Sequence, residues 1–201
     1  MSKTTTKTIF GPGDVGRRVT LDEFVHAEGE GGRLYELSRG IVTMVDVPNP
    51  HHLKVLHLVR RQLNKYDDSN PGRIWTIAAG GECRLLIQSL ESDRHPDLAI
   101  YKTPPPDSER AEEIWSRWVP EIVVEVVSPS SRHRDYHQKP EEYFEFGVQE
   151  YWIIDPDAKT MTVLRREGGR WVESVASPPQ IHRTPVLPAL EFSIAEVFES
   201  A

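Results

Sequence analysis

A chain of 201 residues with 38% hydrophobic and 27% charged residues has the length and balance of one soluble globular domain with a substantial core. Its net charge of −7 argues against a protein that coats nucleic acid non-specifically. That charge leaves a nuclease open, because an acidic metal site counts as negative until its cation binds. No run approaches the ~20 apolar residues of a membrane helix, and Met1 to Thr8 is polar rather than signal-like. The single Cys83 excludes an intramolecular disulfide and suits a reducing, cytoplasmic setting.

Residues 1–18 read as a flexible lead-in, and 19–201 as a single domain. Thr20 to Glu23 has the form of a capping box, which opens a short helix. The glycine-rich stretch from Glu28 to Arg33 reads as a loop. Leu34–Leu37 and Ile41–Val45 flank Ser38-Arg39-Gly40 as the arms of a hairpin. Asn49 can cap the clearest helix, Pro50 suits its first position, and Leu56, Val59, Leu63 and Tyr66 recur at helical steps. Arg73–Ile77 and Cys83–Ile87, on either side of Gly80-Gly81, predict a second hairpin.

Pro96 to Tyr101 reads as a strand whose opening proline loses no needed N–H. The prolines at 104–106 form a loop, and Ile114-Trp115 with Trp118-Val119 fit a short helix or a packing flap. Glu121 to Val127 is aliphatic and β-branched apart from its two glutamates, and a Ser/Pro turn follows: a buried strand. Asp135 to Phe146 reads as a helix and Tyr151–Ile154 as a strand. Thr160–Leu164 and Trp171–Val175 predict a hairpin around Gly168-Gly169, and Ser193 to Glu196 caps a terminal helix. This mixed order gives an α/β or α+β domain around one central sheet.

Glu125 lies in the middle of the aliphatic run. An unpaired carboxylate in an apolar strand is expensive, so it either faces water at a sheet edge or meets a cation. Asp97 opens another strand, and Glu36 lies in the first hairpin. Mg²⁺ is held by one or two carboxylates with waters and substrate phosphates, so Asp97 and Glu125 on adjacent strands would form such a site, with the Val126 carbonyl as a further ligand. On spacing alone, structural salt bridges explain the same pair. Lys139 starts the following helix, where it could orient a water or stabilise a phosphate. Arg132-His133-Arg134 could contact phosphate or be a solvated loop.

The ordered set Tyr35-Glu36-Leu37, Pro96-Asp97-Leu98, Val123 to Ser130, Arg134-Asp135, Lys139 and Gly147 to Pro156 resembles the Uma-two family, restriction-endonuclease-like proteins of the PD-(D/E)XK nuclease superfamily. The resemblance implies a mixed central sheet flanked by helices, Mg²⁺ or Mn²⁺ at Asp97 and Glu125, and phosphodiester hydrolysis in DNA. The superfamily lysine two residues after the Glu is replaced here by Val127. The resemblance places it instead on the next helix, as Lys139, four after Asp135. It also implies Glu36 and a histidine at the start of the second helix, His52 rather than His51, as parts of the site. Pro140 disfavours helical geometry in the residue before it and sets Lys139 at the helix boundary. A homodimer would supply the two sites that two-strand cleavage requires. The alternative from another class is a nuclease-fold binding or regulatory module without catalysis.

Overall fold

The computed structural model describes residues 8–198. The short strands β1 (Ile9–Phe10) and β2 (Glu28–Gly29) pair in parallel around α1 (Leu21–Val25), which the Thr20–Glu23 capping box opens. The hairpin of β3 (Tyr35–Ser38) and β4 (Ile41–Met44) turns through Arg39 and Gly40, at φ 51° and 76°. Asn49 caps α2 (Pro50–Ser69), its side chain accepting the His52 N–H. Then follow β5 (Thr76–Ala78), β6 (Leu85–Ile87), β7 (Ser92–Arg94), β8 (Leu98–Tyr101), α3 (Ala111–Arg117) and β9 (Ile122–Val126). A π-helical turn, Arg134–Gln138, leads into α4 (Lys139–Phe146). Strands β10 (Glu150–Asp155), β11 (Thr160–Glu167), β12 (Arg170–Ala176), β13 (Ile181–His182) and β14 (Phe192–Ser193) precede α5 (Ile194–Phe198). No described helix is long and apolar enough to cross a membrane.

The main sheet has the order β12-β11-β10-β9-β8-β5. Its β9–β10 pair is parallel and its other pairs are antiparallel, so it is the mixed central sheet the sequence implied. Helices cover both faces of β9, which is why its sequence is apolar without alternation. Val124 and Val126 pack with Val55, Val59 and Leu63 of α2. Val123 and Val127 pack with Tyr143 and Phe146 of α4, together with Leu85 and Ile87 from a second sheet of order β4-β3-β7-β6.

Three readings change. The expected hairpin around Gly80-Gly81 does not form: β5 joins the main sheet on β8, whereas β6 pairs with β7 in the second sheet. Leu85, Leu86 and Ile87 are all buried in that second sheet, Leu85 and Ile87 against α4 and β9. The lead-in is ordered from Ile9, because Phe10 is buried and stacks on Phe24 with centroids 5.3 Å apart; residues 1–7 lie outside the described region. The helix read from Asp135 begins as the π-turn and becomes α-helical at Lys139. Lys139 keeps helical angles (φ −60°, ψ −33°) despite Pro140.

Arg94 of β7, without solvent exposure, ties the second sheet to α4. Its Nε and Nη2 donate to the two carboxylate oxygens of Glu142 at 2.6 and 3.0 Å. Its Nη1 donates to Glu36 at 3.0 Å, and Nη2 also to Ser38 at 2.7 Å, both on β3. Removing one partner of such a buried network leaves charges stranded. Arg94→Met is therefore expected to lower stability by about 3–5 kcal/mol, read from the midpoint of a urea titration.

Candidate active site

In the antiparallel β8–β9 ladder Leu98 faces Val124, so the next pair outward places Asp97 opposite Glu125. The two carboxylates required to be neighbours are neighbours. Asp97 is fixed at the strand opening: Oδ2 accepts the Val126 N–H at 2.7 Å, and Oδ1 lies 3.3 Å from His52 Nε2. Asn49 starts α2 where it does, and that start brings His52, rather than the exposed His51, to the sheet.

Glu125 points to the α4 side and is buried. There it meets its cation: Lys139 Nζ lies 2.9 Å from Glu125 Oε1 and 2.8 Å from Asp135 Oδ1. Tyr143 Oη also donates to Glu125 Oε1. Asp135, Lys139 and Tyr143 stand four residues apart across the π-turn and α4, and so share one face. Such single-turn π segments recur at functional sites, and here the turn sets Asp135 beside Lys139, whose ammonium bridges Asp135 and Glu125.

The electrostatics are those of a crowded acidic centre. Burial raises the Glu125 carboxyl against the pull of Lys139, Asp97 and Asp135 raise it further, and it ends at about 8. Burial lowers the Lys139 ammonium, but Glu125, Asp135 and Glu36 outweigh it and hold it above its ordinary range, so it stays charged. Glu36 behaves oppositely to Glu125. Burial raises it, yet Arg94, Lys139 and the His95 N–H (2.9 Å to Oε1) bring it below the usual carboxylate range.

These groups line one cleft of about 270 Å³ that also takes in Asp46, Asn49, Ser128, Ser130, Ser131 and Arg134. The structure thus brings together Glu36, His52, Asp97, Glu125, Val126 and Lys139. Of the basic turn, Arg134 reaches the cleft, whereas Arg132 is held by Asp155 at 2.6 and 3.0 Å. Sequence reasoning missed Tyr143, Arg94 and Glu142. Tyr143 had a signal, its position four after Lys139; Arg94 and Glu142, far apart in sequence and polar, had none.

Among the described residues no three His, Cys, Asp or Glu side chains form a ready metal cluster. The donor set fits Mg²⁺ or Mn²⁺ all the same, since such ions keep several waters and need only one or two protein carboxylates. Burial holds Glu125 above its ordinary range against the pull of Lys139, and the neighbouring Asp97 and Asp135 charges add to it, so a cation shared by Asp97 and Glu125 would relieve their repulsion.

A mixed sheet flanked by helices, with two carboxylates on adjoining strands and a lysine from the next helix, defines a protein of the restriction-endonuclease-like fold. Residues 21–195 match the Uma2 family, described as "Putative restriction endonuclease", and the chain belongs to that family. The crystal structure of a "putative nuclease belonging to DUF820" from Anabaena variabilis ATCC 29413 superposes with a TM-score of 0.69. The match covers 90% of this chain and 98% of that one, at 21% identity, and is a likeness of fold. No curated protein matches this chain.

A carboxyl raised from its ordinary 4.5 to about 8 contributes stability that is present below pH 4.5 and is lost as pH rises through 8. Without metal, the stability of the wild type relative to Glu125→Gln should therefore fall across that window, by at most about 1.4 kcal/mol per pH unit. Urea titrations of both proteins from pH 5 to 8 read it; a flat difference means Glu125 does not hold its proton.

Proposed function

We propose that this chain is a metal-dependent endonuclease that hydrolyses phosphodiester bonds in DNA. The observation that carries the reading is the meeting of Asp97 and Glu125 on adjacent strands with Lys139 Nζ 2.9 Å from Glu125, at the wall of an open cleft. The cation would be held by Asp97, Glu125 and the carbonyl of Val126. When bound, it supplies an acidified water and offsets charge at phosphorus.

The remaining work belongs to the protein. Lys139 carries a fixed positive charge and donates hydrogen bonds toward a non-bridging phosphate oxygen, where charge grows in the transition state. Asp135, on its far side, holds the ammonium in place when Glu125 turns to the cation. His52 orients Asp97. Glu36 has both oxygens engaged by Arg94 and His95, and in this reading positions the cleft wall beside Asp97. Ser128, Ser130 and Arg134 offer donors for the flanking phosphates. Two copies would cut both strands.

Supercoiled plasmid incubated with Mg²⁺ or Mn²⁺ should be nicked or linearised by the wild type and left intact in EDTA. Asp97→Ala and Glu125→Ala should each lower the rate by about 10² or more, the scale of a lost electrostatic contribution. Lys139→Ala should lower turnover similarly while leaving metal affinity nearly unchanged. Metal-dependent cleavage that survives Asp97→Ala would remove this site from the account.

A further inference from the structure

Between Pro50 and Tyr66 the chain has no Asp or Glu, but it has Lys54, Arg60, Arg61 and Lys65 with three histidines. In a chain of net charge −7 this is a local inversion. The structure turns it into a surface. Lys54, His57, Arg61 and Lys65 follow one another at steps of three and four along α2, all exposed, opposite the buried Val55, Val59 and Leu63. A solvated helix face is ordinarily laced with acidic residues four positions away. Here, among the described residues, Lys54, His57 and Lys65 have no acidic partner, and Arg61 comes only within 3.8 Å of Glu196. Like charges four apart weaken a helix, and a polyanion lying along them would remove that repulsion.

Two further observations give the face a direction. His57, Arg60, Arg61 and Lys65 converge with Asn64, Asp68 and Ser69 on an open depression of about 380 Å³ on the outside of α2, where three cations and a histidine face one carboxylate. The same helix begins at the candidate active site, where His52 stands 3.3 Å from Asp97. His52 lies on the inner side of α2 with Val55, Val59 and Leu63, so the basic face is on the outer side of the helix whose first turn borders the cleft. Lys54 and Lys65 are separated by about 16 Å of helix at ~1.5 Å per residue, the length of about five base pairs at ~3.4 Å per step.

We propose that this face of α2 carries the phosphate backbone of the duplex on which the chain acts. The proposal rests on the nuclease reading and names the surface through which the substrate is held. It binds through charge and without base readout, so it contributes affinity and salt dependence rather than sequence preference.

The test is anisotropy of a fluorescent 30-base-pair duplex (~100 Å long) titrated with the full chain over a series of salt concentrations, without divalent metal. The Lys54→Gln/Arg61→Gln/Lys65→Gln triple variant should reduce the slope of log K against log salt by about 2 to 3 and weaken low-salt binding at least about tenfold. The single variants Lys54→Gln and Lys65→Gln should each remove about one unit of slope. Lys159→Gln/Arg170→Gln, exposed cations in the β10–β11 turn and at the start of β12, should leave it unchanged. A triple variant that binds as wild type, or a control pair that loses as much, overturns the α2 surface. If plasmid cleavage persists in the wild type under those outcomes, the active-site reading stands without it. A wild type that neither binds nor cuts DNA takes both down together.

Discussion

A guanidinium with no access to water is the constraint on which this molecule turns. Arg94 must satisfy its donors inside the protein or destabilise it. It does so by gripping Glu142 of α4 on one side and Glu36 and Ser38 of β3 on the other. The grip fixes where α4 lies against the second sheet, and α4 begins with Lys139. It also fixes the Glu36 carboxylate, whose other oxygen holds the backbone two residues before Asp97. Through one buried side chain the lysine and the strand bearing Asp97 are referred to the same frame.

The candidate site built on that frame is unbalanced by design of its surroundings. Glu125, Asp97, Asp135 and Glu36 crowd one ammonium, Lys139, with Arg94 behind it. Here burial and the neighbouring acids push Glu125 up to about 8. Acids outnumber cations at this centre, and it opens to a cleft of about 270 Å³. The relocation of the lysine has a structural consequence too. Rooted in a helix that starts with a π-turn, it reaches Glu125 from the opposite layer of the core and leaves the residue two after Glu125, Val127, free to pack with Tyr143.

Much of this was legible in sequence where local pattern and tertiary demand agree. The aliphatic run around Glu125 read as a buried strand, and of the two settings open to Glu125 the structure takes the one in which it meets a cation. The strand adjacency on which an Asp97–Glu125 site depends is present in the β8–β9 ladder. The hairpin at Gly80-Gly81 failed for a physical reason. Glycines there serve a short helical turn between two sheets, whereas the real β6–β7 turn uses Glu91 at φ 48°. That non-glycine conformation is held by tertiary bonds: Glu91 accepts from Leu21 N–H by its side chain and from Gly40 N–H by its carbonyl. No dipeptide rule could reveal a turn supported from that far along the chain. Phe10 was hidden for the complementary reason, since one aromatic in a polar segment has no period from which to infer its burial.

The central claim is that Asp97 and Glu125 form a cation site rather than a pair of structural acids. Isothermal titration calorimetry of the metal-free protein with Mn²⁺ or Mg²⁺ addresses it without reference to any substrate. The account predicts a saturable heat for the wild type, accompanied by proton release because a carboxyl raised to about 8 must ionise to bind, and its disappearance in Asp97→Ala. A wild type that gives no heat of binding at millimolar metal, or an Asp97→Ala variant that binds as well as the wild type, would contradict it.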